Sequence, residues 1–314
     1  MREWHLLRSE VNMMRQANRI PLHAYLVLAA LLIVSAAAGG PPDVPPPEPK
    51  KERLEKGAAP DADELHRRDA EKVVNGIEVE VLSDDRWTKV KRIEKPLLFY
   101  GDSTRENDRG SVWGWADKGR PVALLELFQN VNDRARWVYT ICNTSGKKVR
   151  ARRGGTRWWQ ENDSASELKE IPSAPPPASD AVQRQRQLKQ LAQKFTGHEF
   201  WDPNNSRYEL RRLERALYTY RDEAGGVLEG GLFTLANGTN PEIMIFIEAR
   251  ADPKENAKSA WQYAVGRLSH AELHLEYDGK EFFNSPRGDR LSGPNKPYWL
   301  GLFDTTLDAK PKNN

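Results

Sequence analysis

Short hydrophobic runs, in which apolar and polar residues often alternate, recur along two stretches of the chain and are separated by turn residues. They follow one another about every 10 to 15 residues, a spacing typical of all-β proteins. The runs cover residues 87–93, 97–100, 112–116, 122–128, 136–142 and 149–153, and then residues 207–213, 216–220, 232–236, 243–250, 261–268 and 273–277. Asp278-Gly279 predicts a tight hairpin after the last run. The chain is therefore predicted to be mainly β.

One helix is predicted between the two stretches, next to a Pro-rich linker over residues 164–181. Ser179 or Asp180 can cap its first turn, because a short polar side chain accepts a hydrogen bond from a free backbone N–H group. Apolar residues then share one side of the helix: Leu188, Leu191, Ala192 and Phe195. Gly197 is predicted to end the helix, since glycine commonly follows the last turn.

The two stretches of predicted strands match each other in order and in residue type. A shift of 120 residues aligns eight identical pairs: Arg92/Arg212, Glu94/Glu214, Leu97/Leu217, Tyr100/Tyr220, Asp102/Asp222, Gly110/Gly230, Ala116/Ala236 and Pro121/Pro241. After a longer loop, a shift of 124 residues aligns further aromatic pairs: Trp137/Trp261, Tyr139/Tyr263, Trp158/Phe282 and Trp159/Phe283. This common order favours a tandem duplication over a chance likeness of two β meanders.

The predicted fold is two tandem duplicated antiparallel β modules, joined by the Pro-rich linker and one amphipathic helix. Composition sets the boundaries: signal peptide or membrane anchor 1–38, disordered Pro-rich and charged tether 39–72, β module 1 73–163, linker and helix 164–203, β module 2 204–303 and disordered tail 304–314. Because each module is small for independent stability, we expect the two to pack on each other about a pseudo-two-fold axis.

An uncharged run over residues 24–38 predicts export. Arg15 and Arg19 precede this run, and its last residues are small, which is the pattern of a cleaved signal peptide. The alternative is an uncleaved membrane anchor over residues 22–38. In both cases the basic flank is expected to stay inside, and the rest of the chain is expected in the periplasm or at the cell surface. The membrane would then be contacted only through this segment.

Charge and cysteine content exclude several classes of function. The 48 basic and 45 acidic residues nearly cancel, so the chain offers little excess positive charge to neutralise nucleic-acid phosphates. Cys142 is the only cysteine, which rules out an intramolecular disulfide, and its hydrophobic neighbours predict a buried, unreactive thiol.

The sequence contains no dinucleotide fingerprint after a predicted strand and no phosphate-cradling glycine loop, so we expect no cofactor.

Opposite charges distinguish the two modules at one pair of equivalent strands. The shift of 124 residues aligns three alternating basic residues with three acidic or titratable ones: Lys148, Arg150 and Arg152 with Glu272, His274 and Glu276. Alternate residues of a strand share a face, so one strand presents a cationic ladder and its counterpart an acidic face with a histidine. Two interpretations remain open: a complementary contact with the other module or a partner, and two independent solvated faces.

The segment after the helix is the best local candidate for acid–base chemistry, because His198, Glu199 and Asp202 stand within five residues. The simpler interpretation is a turn that leads into the second module. Asp102 and Asp222 are further candidate carboxylates for glycoside hydrolysis, and both are also explained as turn residues at the end of a strand.

His270 and His274 have the spacing of a zinc-binding helix. The residues between and after them alternate as in a strand, however, and no cysteine or third histidine stands nearby. We therefore expect no metal site.

Some tryptophans of the first module are predicted to lie in the core and one is predicted to lie at the surface. Trp113 and Trp115 share one face of a strand and are predicted to be buried. Trp158 and Trp159 are adjacent, so one of the two is expected to point outward. An exposed indole there is a candidate platform for stacking on a sugar ring.

Three runs resemble those of uncharacterised exported proteins from environmental bacteria. They are Phe-Trp-Asp-Pro-Asn-Asn-Ser-Arg-Tyr-Glu-Leu at 200–210, Asn-Gly-Thr-Asn-Pro-Glu at 237–242 and Pro-Tyr-Trp-Leu at 297–300. The resemblance covers about residues 75–303 and implies no activity, since none is known for such proteins.

Together these features predict an exported, non-catalytic envelope protein that binds or scaffolds a protein partner or a surface polysaccharide. The alternative is a periplasmic hydrolase that uses carboxylates and His198 in a cleft between the modules. A flat charged or Trp-lined surface would favour binding, whereas a pocket that places a histidine between two carboxylates would favour the hydrolase.

Overall fold

The structure is a computed structural model that describes residues 61–102, 108–130, 133–161, 167–251, 259–288 and 291–304, all within one compact unit. The predicted export signal and most of the predicted tether lie outside the described residues. The described part is mainly β with two helices, as the alternation predicts. Among these residues, no helix is both long enough and apolar enough to cross a membrane.

The first half of the fold begins with a helix, α1 (Ala62–Asn75), which eight strands follow. The strands are β1 (Ile77–Ser83), β2 (Arg86–Val90), β3 (Leu98–Asp102), β4 (Asp108–Trp115), β5 (Ala123–Asn130), β6 (Asp133–Asn143), β7 (Val149–Arg153) and β8 (Thr156–Gln160). They form a small antiparallel sheet in the order β2-β1-β7-β8 and a large antiparallel sheet in the order β3-β4-β5-β6.

The second half has the same order of elements. After β9 (Lys169–Glu170) come α2 (Ala181–Gln193), β10 (Phe195–Phe200), β11 (Arg207–Arg212), β12 (Tyr218–Asp222), β13 (Val227–Asn237), β14 (Asn240–Ala251), β15 (Ser259–Arg267), β16 (Glu272–Tyr277), β17 (Lys280–Ser285) and β18 (Tyr298–Asp304). The small sheet has the order β11-β10-β16-β17 and the large sheet the order β12-β13-β14-β15. A short β11–β13 pairing joins the two sheets, and a bridge between Arg92 and Trp115 makes the equivalent connection in the first half.

Strand register is also the same in the two halves. Val79 pairs with Ala151 in the first half, and Gly197 pairs with Leu275 at the equivalent place in the second. The β7–β8 pairing shifts register after Ala151, and the β16–β17 pairing does so after Leu275. The paired strand residues that the structure describes in the first half thus have defined equivalents, 118 residues further on in β1, 120 in β2–β5 and 124 in β6–β8.

Two of the identities between the halves have the same structural cause. The ring of Tyr100 lies over Gly110, and the ring of Tyr220 lies over Gly230. A Cβ atom at Gly110 would stand 2.2 Å from the Tyr100 ring, and one at Gly230 would stand 2.3 Å from the Tyr220 ring. Glycine is therefore required at both positions because an aromatic ring of the neighbouring strand occupies the space above it.

Each half also receives one strand from the segment that follows the other half. β9 follows the first half and pairs with β15, whereas β18 follows the second half and pairs with β6. Ile171 lies beside Trp261, and Phe303 lies opposite Trp137 at the equivalent place. The predicted extent of module 2, residues 204–303, therefore needs correction, because the residues from Tyr298 onward complete a sheet of the first half.

Three hydrophobic cores stack the sheets in four layers. One core lies between the small and large sheets of the first half, with α1 against it, and a second lies between those of the second half, with α2 against it. The third core joins the two large sheets through equivalent residues, Val112 and Leu124 from one and Leu232 and Met244 from the other. The layers are therefore small, large, large and small. Each small sheet has one face directed away from the molecule, which we call the outer face of that half.

α1 occupies residues 62–72 of the stretch that was predicted to be a disordered tether. Asp61 caps this helix by accepting a hydrogen bond from the backbone N–H of Asp63. Ala70 and Val74 are fully buried in the core of the first half. The sequence allows a short helix around residues 61–74 but gives it no broad apolar face, so the helix depends on tertiary packing more than on its own pattern.

α2 lies where a helix was predicted, but the prediction that it ends near Gly197 is wrong. Asp180 caps the first turn through the backbone N–H of Gln183, and the helix ends at Gln193. Gly197 lies within β10, where a Cβ atom would stand 2.6 Å from the backbone oxygen of His274. Glycine at this position thus allows the two strands to approach closely. Residues 195–200 therefore belong to the second half and not to a linker.

Candidate functional site

β10 sends two of the candidate catalytic residues to opposite faces of its sheet. Glu199 points inward and is fully buried, where it accepts hydrogen bonds from Asn237 Nδ2 at 2.7 Å and Ser269 Oγ at 3.5 Å. His198 points to the outer face, because adjacent residues of a strand alternate. A shared acid–base step between these two side chains is therefore not available.

Asp202 has a structural role in the turn after β10. Its carboxylate accepts hydrogen bonds from the backbone N–H of Ser206 at 2.6 Å, from Ser206 Oγ at 2.8 Å and from the Tyr208 hydroxyl at 3.4 Å. Asp222 likewise accepts from the backbone N–H of Gly225 in a turn, and the Asp102 side chain lies outside the described part. The candidate carboxylates whose side chains are described do not gather with His198.

The outer face of the second half carries a stacked pair of histidines. The rings of His198 and His274 lie 4.5 Å apart and are nearly parallel, at 5°. His274 contacts two carboxylates, Glu281 through Nδ1 at 2.7 Å and Glu272 through Nε2 at 3.0 Å. His198 Nδ1 stands 3.7 Å from Glu276 Oε1. This face therefore combines three carboxylates with two imidazoles.

The two histidines titrate in opposite directions. Burial lowers the pKa of His274, but its hydrogen bonds to Glu272 and Glu281 outweigh burial, so the pKa is raised above the ordinary histidine value. Burial lowers the pKa of His198, and the positive charges of Arg207 and His274 lower it further. His274 is thus the member of the pair that carries a proton first as the pH falls.

We expect Glu281→Gln to lower the pKa of His274, because the substitution removes one of the two charged acceptors of the imidazolium. NMR titration of the imidazole signals measures this pKa, and Glu170→Gln, on β9, is the control. Because the folded pKa of His274 is raised, its contribution to stability is full below the ordinary histidine pKa and is lost as the pH rises through the raised value. An unchanged His274 titration in Glu281→Gln would contradict this account.

The outer face of the first half carries ion pairs between basic residues and glutamates, where the second half has its histidines and glutamates. Arg150 Nε donates to Glu80 Oε2 at 2.6 Å, and the guanidinium lies 4.3 Å from the centre of the Trp87 ring. Lys89 Nζ donates to Glu78 Oε1 at 2.5 Å. The Arg150–Glu80 pair occupies the positions equivalent to His274 and His198, so the two halves place different chemistry on one backbone frame.

Charge is reversed between the outer faces at four equivalent positions, and a fifth position changes from arginine to histidine. Five basic residues of the first half have four glutamates and one histidine as equivalents: Lys89/Glu209, Lys148/Glu272, Arg150/His274, Arg152/Glu276 and Arg157/Glu281. The sequence predicted three of these pairs. It missed Lys89/Glu209 and Arg157/Glu281, which lie on the neighbouring strands, although the same alignment shifts would have found them.

The two outer faces lie in the first and last of the four layers. The ladder of Arg150 and the face of His274 therefore do not contact each other within one chain, and of the first interpretation from sequence only a contact with a partner remains. Two large sheets and two cores separate the faces.

Trp158 and Trp159 differ in exposure, although both side chains pack against the core of the first half, because the β7–β8 register shift falls at Trp158. Trp159 is fully buried and donates from Nε1 to the backbone oxygen of Lys296 at 2.8 Å, which excludes it from a binding surface. Trp158 is partly exposed, and its ring lies 5.6 Å from that of Trp299 on β18. Trp158 packs against the core of the first half, in an aromatic group built by both halves of the sequence. The prediction that Trp113 is buried is confirmed.

The described residues offer little for metal or thiol chemistry. Within the described ranges, no group of three or more His, Cys, Asp and Glu side chains is placed to hold a metal ion. Cys142 is buried between the two large sheets, and burial raises the pKa of its thiol to about 12, which keeps it protonated. Comparison with protein-family models, with curated sequences and with solved structures gives no match.

Proposed function

We propose that the chain is an exported, non-catalytic protein of the cell envelope that binds or scaffolds a partner through its two outer faces. The observation that carries this proposal is the exchange of basic residues for glutamates at four equivalent positions of one shared backbone frame, with a histidine at a fifth. Surface residues that only keep a fold soluble have no reason to change sign together. The partner class is a protein, or else a surface polysaccharide.

A tandem duplication of one β unit is part of the proposal. The eight sequence identities, the equal order of elements and the equal strand register support it, as does the bulge at the same place in both halves. The tyrosines over Gly110 and Gly230 add a shared packing detail that a chance likeness of two meanders would not require. Duplication explains how two surfaces with one shape acquired opposite charge.

Export is proposed from the sequence of the N-terminal run, residues 24–38, as a cleaved signal or an anchor over residues 22–38.

The arrangement favours binding over hydrolysis. His274 does contact two carboxylates, but it projects from the outer face of a sheet, and the side chains of Glu272 and Glu281 are 39% and 48% exposed. The alternative hydrolase needs a cleft between the halves that is lined by carboxylates and His198. His198 lies on the outer layer, away from the core that joins the halves. Its neighbour Glu199 points to the other side of the sheet.

A second candidate partner, a polysaccharide, is favoured by the aromatic group of Trp158, Trp299 and Tyr139. Tyr139 accepts a hydrogen bond from Trp158 Nε1 at 3.2 Å, and the two rings meet edge to face. Two partly exposed indoles fixed in this way are a suitable surface for stacking on a sugar ring.

The test uses two face variants with charge-matched controls. The basic-face variant carries Lys89→Glu, Lys148→Glu and Arg157→Glu, and its control carries Arg186→Glu, Lys189→Glu and Arg215→Glu. The acidic-face variant carries Glu209→Lys, Glu272→Lys and Glu281→Lys, and its control carries Glu94→Lys, Glu214→Lys and Glu223→Lys. All replaced residues other than Glu272 are exposed, and the Arg150–Glu80 pair is left in place.

We expect the immobilised full chain to retain envelope protein. The amount retained should fall at least tenfold in one or both face variants, and it should be unchanged in the controls. Retention of surface polysaccharide is measured in parallel with Trp158→Phe, since Trp159 is buried and is unsuitable for the test. Equal retention by the wild type, both face variants and Trp158→Phe would refute a binding role for these surfaces.

A further inference from the structure

The two outer faces are complementary to each other in charge. The first carries five basic side chains with Glu78 and Glu80, and the second carries four glutamates with Arg207 and the two histidines. Several of these side chains extend well into solvent: Lys89 is 62% exposed and Glu209 is 68% exposed. Opposite charges in such positions are available to a partner, and not only to each other within one sheet.

The positions of these charges also correspond in space. Because the small sheets share one strand order and one register, equivalent residues have the same spacing on both faces. Neighbouring strands lie about 4.8 Å apart in any sheet, so rows of charge recur at the same interval on the two faces. Every copy of the chain therefore carries two faces whose rows of charge have the same interval and whose predominant charges have opposite sign.

We propose that copies of this chain associate head to tail, with the outer face of the first half of one copy against the outer face of the second half of the next. The proposal rests on the binding or scaffolding function above and names the partner as a second copy. A two-fold symmetric dimer through either face would bring like charges together, so the complementary contact has to be heterologous. Since the faces lie in opposite outer layers, such contacts continue in one direction as an open assembly.

A second copy accounts for both faces at once. An anionic polysaccharide would match the cationic face around Lys148 and leave the glutamates around Glu272 unexplained. A cationic protein would explain the glutamates and leave the basic residues without a role.

The size of the faces predicts a weak contact. Four strands about 4.8 Å apart, with about five residues of about 3.3 Å each, present roughly 300 Å² per face. Two docked faces would bury about 600 Å², below the roughly 1,200 Å² of a stable interface. The association is therefore expected to depend on charge, to weaken with salt and to gain from a high local concentration in the envelope.

The test is sedimentation velocity of the purified full chain in nonionic detergent. At about 0.01 M salt, where the Debye length is about 30 Å, we expect the mean mass to rise with protein concentration. At about 1 M salt, where the Debye length is about 3 Å, we expect that rise to disappear. The basic-face and acidic-face variants should each have an association constant at least tenfold lower than the wild type, and the two charge-matched controls should keep the wild-type value.

A mixture of the two face variants tests most directly whether unlike faces dock. The basic-face variant has two acidic faces, and the acidic-face variant has two basic faces. Neither variant is therefore expected to self-associate alone, whereas an equimolar mixture of the two is expected to associate. The mixture of the two control variants has the same net charges and shows what general attraction contributes. Recovery in the face mixture beyond that of the control mixture supports head-to-tail docking.

Three results would overturn the proposal: a wild type whose mass is independent of concentration at low salt, association that the face variants retain, and a face mixture that recovers no more than the control mixture. The N-terminal run is common to all variants, so association through it cannot imitate the expected differences. Retention of envelope protein is a separate measurement, and a chain that binds such a partner without self-association would refute this inference and leave the proposed function standing.

Discussion

Phe303→Ala is expected to destabilise the protein by about 3–5 kcal/mol, the usual cost of removing a buried phenylalanine side chain. Phe303 is 4% exposed, its ring stacks on Tyr139 with centres 4.2 Å apart, and the guanidinium of Arg153 lies 3.9 Å from the ring centre. The residue reaches the core of the first half although it stands near the C-terminal end of the chain. Its loss leaves a cavity between β18 and the small sheet.

Leu302→Ala is the matched control, because Leu302 is the neighbour of Phe303 on the same strand and points to the other side, 37% exposed. We expect a change within about 0.5 kcal/mol for this control. Urea unfolding followed by tryptophan fluorescence measures both variants. Equal effects of the two substitutions would mean that β18 does not complete the first half.

Glu248→Ala is expected to cost about 3–5 kcal/mol, because it removes one partner of a buried charged group. Glu248 is fully buried and accepts hydrogen bonds from the Tyr220 hydroxyl at 2.8 Å and from Arg250 Nη1 at 2.7 Å. Arg120 of the first half approaches it to 3.6 Å. Without the carboxylate, the Tyr220 hydroxyl loses its acceptor in a dry site, and the Arg120 charge faces no opposite charge there.

A double-mutant cycle with Arg120→Ala separates the contact between the halves from the contacts within the second half. We expect the two substitutions to be non-additive by more than about 0.5 kcal/mol, since residues in one charged network couple. Glu248→Gln keeps an acceptor for Tyr220 and should cost less than Glu248→Ala. Additive free energies of unfolding in the cycle would show that Arg120 and Glu248 do not hold the halves together.

Much of the strand arrangement was predictable from local pattern. The run 149–153 coincides with β7, and Asp278 and Gly279 have the positive φ angles of 53° and 76° that the predicted tight turn requires. The alternation of Ile77, Val79 and Val81 with glutamates is sufficient to predict β1, which the predicted runs omitted. β10 gave a weaker signal, because two of its inward positions are Gly197 and Glu199 in place of hydrophobic residues.

The candidate site was predictable in part. The alignment by 124 residues correctly paired Arg150 with His274, because strand register kept the two halves in step. The catalytic grouping of His198 with Glu199 failed, since adjacency in sequence became opposite faces once the segment was a strand. Nearness along the chain is a poor guide to nearness in space wherever the side-chain period is two.

The sequence by itself determined the β class, most strands and the equivalence of residues such as Tyr100 and Tyr220, since these depend on local alternation and on steric needs repeated in each half. Only the tertiary structure decided which surfaces face each other. It placed Phe303 in the core of the first half and the two charged faces in opposite outer layers. Such contacts join residues far apart in the chain, and they are selected by the fit of whole sheet faces, which no local pattern encodes.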